Sequence, residues 1–222
     1  MKRILSLLLV TILLLSLSGC GKSPVLPPVR TGTGELHIQL TKNFTFESAF
    51  EEADAVVRIK IGDWLGEDTD IHYTYYEATV LQCLKGSIPE TFTLLQIGCS
   101  TATVKTYPLF TSGNEFLAFL NKTYVQDYTS PYVSVGAYTT YLDVSYDASG
   151  NRYFIDRFGY LGATMNIDHN YAQDKDIYAE VKATVTKKDQ IFEESQFQYI
   201  FSEADIKTLI DKQQIAGGHI YE

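Results

Sequence analysis

Apolar and polar positions alternate over residues 55–61, with Ala55, Val57, Ile59 and Ile61 on one face and Arg58 and Lys60 on the other. A period of two with a single polar face predicts a half-buried strand. Residues 75–97 hold two β-rich runs around Gly86-Ser87-Ile88-Pro89-Glu90, turn chemistry that predicts a hairpin with a five-residue loop. Residues 115–120 are apolar on both faces, which predicts a central strand. Residues 131–146 are long for one strand, and Gly136 marks a place where a barrel strand bends or bulges. The turn Ser149-Gly150-Asn151-Arg152 then leads into 153–155 and a second hairpin.

Helical periodicity is sparser. Thr45 is an N-cap for a short pattern in which Phe46, Phe50 and Ala53 fall at i, i+4 and i+7, with Glu47, Glu51 and Glu52 close by. Residues 177–185 fit strand and helix equally. Ser202-Glu203-Ala204-Asp205 resembles a capping box, and Ile206, Leu209 and Ile210 form an apolar stripe on a helix running to about Gln214. Residues 36–40 alternate as a short leading strand. These elements make the chain mainly β with a short N-terminal helix and a C-terminal helix.

Composition strengthens the β reading: 16 Tyr and 12 Phe stand against two Met, and aromatics suit a pleated, half-buried surface. The N-terminus has a different character. Lys2-Arg3 precedes an apolar run over 4–17, and 14 residues rise about 21 Å as a helix, short of the roughly 30 Å hydrocarbon core. The charged start, short apolar region and small residues before a cleavage point are the parts of a secretory signal over 1–19. Its close, Leu17-Ser18-Gly19-Cys20, resembles the bacterial lipobox. That resemblance implies a lipoprotein lipidated on Cys20, cleaved between Gly19 and Cys20, and held at the membrane on its extracytoplasmic face by acyl chains such as palmitate. Pro24, Pro27 and Pro28 with Gly21, Gly32 and Gly34 make residues 20–34 a flexible tether. Loss of Lys2 and Arg3 leaves 16 bases against 27 acids, a net charge of −11 that repels phosphodiester backbones, so nucleic acid is excluded as a partner.

The run Ala53-Asp54-Ala55-Val56-Val57-Arg58, together with Val80, Leu84-Lys85-Gly86 and residues 116–120, resembles the tissue inhibitor of metalloproteinases and wider netrin-like group. The match covers roughly residues 46–145. It implies an OB-like five-stranded barrel, assigned here to 35–157, with the C-terminal helix of a 158–222 extension packed against it. Inhibitors of that group act through a free N-terminal Cys whose amine and carbonyl bind the protease zinc. An acylated Cys20 on a tether, without a disulfide ladder, departs from that arrangement.

Candidate chemistry is scarce. A regular hairpin turning near residue 88 sets Cys83 opposite Thr93 and Cys99 opposite Glu77, too far apart to bridge, which predicts two buried free thiols. His37, His72, His169 and His219 lack metal-ligand spacing. Asn166, Asp168, Asn170, Asp174 and Asp176 resemble a calcium loop, but Tyr171 and Ile177 stand where Gly and Glu are required. No cofactor motif and no nucleophile signature is present. The acidic stretch 62–72 joins the first two barrel strands, where OB-folds bind ligands, and Trp64, Asp68, Asp70, Tyr73 and Tyr75 are the candidate binding residues there. The sequence points first to a membrane-anchored binding module for a protein, peptide or glycan. The alternatives are an envelope hydrolase with dispersed acidic catalytic residues, a protease-inhibitor-like module, and a structural envelope component.

Overall fold

The computed structural model describes residues 32–40, 42–105, 107–165, 174–188 and 199–218. Gly19, Cys20, the signal segment and most of the tether lie outside them, as do residues 166–170, His169 and His219. In chain order the elements are β1 (Gly34–Leu36), α1 (Phe46–Glu52), β2 (Ala55–Asp68), β3 (Tyr73–Lys85), β4 (Thr91–Ile97), β5 (Ala102–Val104), β6 (Glu115–Lys122), β7 (Pro131–Ser134), β8 (Tyr141–Tyr146), β9 (Arg152–Asp156), α2 (Lys175–Lys188), β10 (Tyr199–Ser202) and α3 (Glu203–Gly218).

Five strands close on themselves in the order β2-β3-β4-β7-β6 and back to β2, antiparallel throughout except for the parallel β4–β7 pair. This is the OB-like barrel, and closure removes the open edges that a five-stranded sheet would otherwise expose. β6 makes it possible by dividing one edge between two partners. Residues 116–118 pair with β8 and residues 120–122 with β7. β8, β9 and β10 therefore continue the sheet outward from the barrel.

That branching explains why residues 115–120 are apolar on both faces. Phe116, Ala118 and Leu120 point into the barrel with Ala55, Val57, Ile59, Ile61 and Tyr76. Leu117 and Phe119 point outward with Val56 into a second core, completed by Phe46 and Phe50 of α1 and by Ile206, Leu209 and Ile210 of α3. Both helices lie on the outer sheet face because that is where their apolar stripes are buried. Residues 175–188 are helix, so the ambiguous stretch is decided. The Ser202 cap is present, with its backbone N–H and hydroxyl donating to Asp205 Oδ2 at 2.9 and 2.7 Å and its Oγ accepting the Asp205 N–H at 3.2 Å.

Three short sequence runs lock the barrel's helix end. Lys85 Nζ donates to the carbonyls of Phe50, Glu51 and Ala53 at 2.6, 2.8 and 2.7 Å, capping a helix with no basic residue in its own last turn. Gly86 takes φ +79° against the Asp54 carbonyl. Asp54 donates its N–H to Asn121 and accepts that of Lys122, at 3.0 and 2.9 Å, which ties β2 to the end of β6.

The structure departs from the sequence reading in four places. β2 runs on to Asp68, so most of 62–72 is strand and only Thr69–His72 turns. Glu77, not Cys83, lies opposite Thr93. The second half of β3 outruns β4 and pairs with β2 alone, so the hairpin is lopsided and a register centred on residue 88 fails. Cys83 is consequently exposed, whereas Cys99 is buried. Finally, residues 131–146 form two strands. β7 closes the barrel, and a tight turn over 135–140, held by Thr139 and Thr140 on Gly136, releases β8 into the outer sheet. At its other end the tether is already ordered at Gly34, which pairs with Ala102.

Candidate functional site

The hairpin joining β2 and β3 holds the five candidate residues, and the fold gives each a different environment. Asp68 Oδ1 accepts the backbone N–H groups of Asp70 and Ile71 at 2.9 and 3.1 Å, an Asx turn that reverses the chain. His72 completes the reversal at φ 56°. Asp70 is left in solvent. Trp64 sits opposite Tyr76 and packs on the barrel core, its indole N–H buried without a partner among the described residues. Tyr75 faces outward but is covered by Tyr128, stacked at 4.2 Å between ring centroids. Burial pushes both phenols above their usual pKa, and Asp68 adds to the rise in each. Tyr73 is the member that faces a cavity.

Two features at this end escaped the sequence reading. Leu65 and Ile71 are 43% and 58% exposed amid Asp63, Glu67, Asp68 and Asp70. The signal was visible as apolar residues inside an acidic run. The second feature needed the fold: His72 Nδ1 lies 3.4 Å from Cys99 Sγ, which also meets Thr101 Oγ1 at 3.0 Å. Glu67 accepts the Ser100 N–H at 2.8 Å and the Ser100 hydroxyl, pinning the turn after β4 to the hairpin. Cys99 is completely buried, so the pair braces the turn and offers no accessible nucleophile. Cys83 is eleven residues along β3 from His72, roughly 35 Å at strand rise, which keeps the two thiols apart. Among the described residues no cluster of three His, Cys, Asp or Glu side chains is placed to hold a metal.

The cavity lies in the barrel wall. The parallel β4–β7 pairing lasts three residues and ends at Leu95 and Val133, after which the strands part. About 280 Å³ opens there, with half-buried Tyr73, Ile97, Val133 and Ala137 at the rim and Tyr107 and Tyr141 among the buried lining. Gln96 holds the segment beneath it, donating to the Pro108 carbonyl at 2.9 Å and accepting the Phe110 N–H at 2.7 Å. Tyr107 is set by a cluster of Phe110, Tyr138, Tyr141 and Phe158 and by the Arg157 guanidinium, 5.9 Å from its ring centroid. Arg157 is itself paired with Asp143 through two hydrogen bonds of 2.5 and 3.1 Å. Burial raises the pKa of Tyr107 and Tyr141 well above the ordinary phenol value, so both are neutral donors.

Among the described residues that line the cavity none carries a charge, and Gln96 and Ser134 are the polar members beside the tyrosines. Burial pushes the Asp156 carboxyl up while the N–H groups of Gly162, Gly159 and Phe158 pull it back, and it serves to fold the loop after β9. Asp147 is held down, chiefly by the Asn151 side chain, in the turn between β8 and β9. No protein-family model matches this chain, and a search of the curated proteins finds no match.

Proposed function

We propose that this chain is a lipid-anchored extracytoplasmic lipoprotein whose OB-like barrel is a binding module for a protein, peptide or glycan partner. The observation that carries the binding part is the cavity at the β4–β7 seam, walled mostly by aromatic and aliphatic side chains with Gln96 and Ser134, and with no carboxylate among the described residues of its lining. Such a wall suits recognition. Hydrolysis by paired carboxylates needs two acids at a defined separation in one cleft, and the displaced carboxyls, Asp147 and Asp156, are engaged in turns elsewhere. Exposed Leu65 and Ile71 give the same end of the barrel a surface on which a partner can rest.

The resemblance to the tissue inhibitor of metalloproteinases and netrin-like group supports the barrel more than any inhibitory activity. Lys85, Gly86 and Asp54, which carry much of it, are used to close the helix end of the fold. The anchor rests on the Leu17-Ser18-Gly19-Cys20 pattern.

Two measurements test the reading. Cells expressing the full chain should incorporate radiolabelled palmitate, and Cys20→Ser should abolish the label; label persisting in Cys20→Ser removes the anchor assignment. A photo-crosslinking residue at Ile71 of the cell-surface protein should capture a discrete adduct that is lost in Leu65→Glu. Absence of any discrete adduct removes the partner.

A further inference from the structure

The second half of β3 has an open edge. The Glu90 carbonyl still accepts the Val80 N–H at 2.8 Å, but from Leu81 to Lys85 no strand among the described residues pairs on the side away from β2. Leu81, Gln82 and Cys83 are exposed in succession, although neighbours on a strand point to opposite faces. Proteins ordinarily blunt such an edge with charged side chains, because its backbone groups are a template for another strand. None of residues 80–84 is charged, in a chain of net charge −9.

The fold itself shows what this edge accepts. Leu84 is the extra residue of a β-bulge, since Cys83 and Lys85 on either side of it pair with Val57 and Val56. Its carbonyl is met by the exposed Gln214 side chain of α3, whose Nε2 donates at 2.9 Å. A side-chain amide thus stands where the peptide N–H of a neighbouring strand would. On each side of that bridge α3 and β3 leave a cavity. One, of about 210 Å³, is lined by Leu84, Phe154, Ile206 and Ile210, with Lys207 and Asp211 on its helix wall. That is below the usual span of small-molecule pockets and has room for one apolar side chain. The other opens beyond Gln214 toward Phe50, Lys85 and Gly86. The charges along the groove are matched within the fold: Lys207 pairs with Asp211, Glu203 with Arg152, and Lys85 is turned to the α1 carbonyls.

We infer that this groove binds an extended, uncharged segment of a partner protein, which adds to the β3 edge and displaces Gln214 from the Leu84 carbonyl. Main-chain hydrogen bonds to the edge hold the segment, and alternate side chains enter the two cavities. Two exposed apolar residues, Leu81 at 38% and Ile215 at 66%, stand next in sequence to Gln82 and Gln214 of the groove and add contact surface to it. The site lies at the other end of β3 from the hairpin surface that Leu65 and Ile71 form, and it stands or falls separately from that surface.

The test selects random twelve-residue peptides displayed on phage against the full chain in mild detergent, and measures the synthesised winners by fluorescence anisotropy. The exposed Cys83 supplies a block: biotin-maleimide on the folded chain reaches it and not the buried Cys99, which mass spectrometry verifies. The winners should share apolar residues at i and i+2 with no charge between them. Alkylation of Cys83 should abolish their binding, and Cys83→Ser should make binding indifferent to the reagent. N-methylation of one backbone amide should weaken a winner about three- to tenfold, one hydrogen bond's worth, and Gln214→Ala, which frees the Leu84 carbonyl, should tighten it by a similar factor. Several results overturn the inference: no family enriched over the alkylated chain, N-methylation tolerated at every position, or binding unchanged or weaker in Gln214→Ala. A concentration-dependent dimer in sedimentation that excludes the peptides assigns the edge to a second copy of this chain, and overturns it as well.

Discussion

Replacing Gly86 with Ala tests the barrel's closure most directly. The residue sits at φ +79°, where a side chain costs roughly 1–2 kcal/mol in any surroundings. An added Cβ would also lie 2.0 Å from the Asp54 carbonyl oxygen and 3.2 Å from the Ala55 Cα. Both are backbone atoms where the chain enters β2, and they cannot step aside cheaply. Asp54 is fixed to Asn121 and Lys122, and Ala55 is paired with Leu120. Relief demands more than about 1 Å of strand separation, which sacrifices about two backbone hydrogen bonds at ~0.5–1.5 kcal/mol each and loosens the Lys85 cap. The whole loss should reach about 3–5 kcal/mol. Gly150 is the control, since it takes φ +86° with nothing within 4 Å of its added Cβ, so Gly150→Ala should cost only the conformational 1–2 kcal/mol. Urea unfolding followed through the fluorescence of Trp64, the single tryptophan and packed on the barrel core, measures both. Equal losses within about 0.5 kcal/mol, a margin typical of independent sites, would refute the close approach of β2 to the Gly86 turn.

Other outcomes follow from the same geometry. Lys85→Met keeps the stem over the Phe50 ring but removes three charge-assisted bonds to the α1 carbonyls; it should destabilise by about 1–3 kcal/mol in the same urea assay, and no loss would mean that water replaces the ammonium. Tyr107→Phe deletes a buried hydroxyl without a partner among the described residues, so stability should hold or rise by up to about 1–2 kcal/mol; a clear loss would show that the hydroxyl is bonded within the fold. The Asp147 carboxyl is held below its ordinary 3.8, so its contribution is present above that pH and is lost as pH falls below it toward the folded-state value. Asn151→Ala should return the Asp147 carboxyl toward 3.8 in an NMR titration, and an unchanged titration would assign the shift to other partners.

Much of the fold could be read along the chain because it is dictated locally. The alternation in 55–61, the Thr45 and Ser202 caps, and the two-faced apolar run 115–120 each follow from side chains within a few residues of one another. Register could not be read that way. β3 is longer than its β4 partner because its last residues answer to β2 and to α1, elements fixed by the barrel and not by the hairpin loop. The same long-range dependence misplaced Cys83, which is exposed because β4 ends before reaching it. At the candidate site, Tyr73 was reached by position on the right strand end. Trp64 and Tyr75 were expected as stacking surfaces, but one points inward to the core and the other is covered by Tyr128, a residue more than fifty positions away.

By itself the sequence determined the class of structure, the acidic surface, the helix caps and the expectation of an anchored N-terminus, since these depend on composition and on patterns spanning a turn or a strand. The tertiary structure decided where the barrel closes and where it parts. Closure needs β6 to serve two partners on one edge, and the cavity exists because β4 and β7 separate after three residues. It also decided that Tyr107 and Tyr141, distant in sequence from the hairpin, line that opening beside Tyr73. Neither result is encoded at any single position, because both arise from how strands of unequal length share a finite number of backbone hydrogen bonds around a ring.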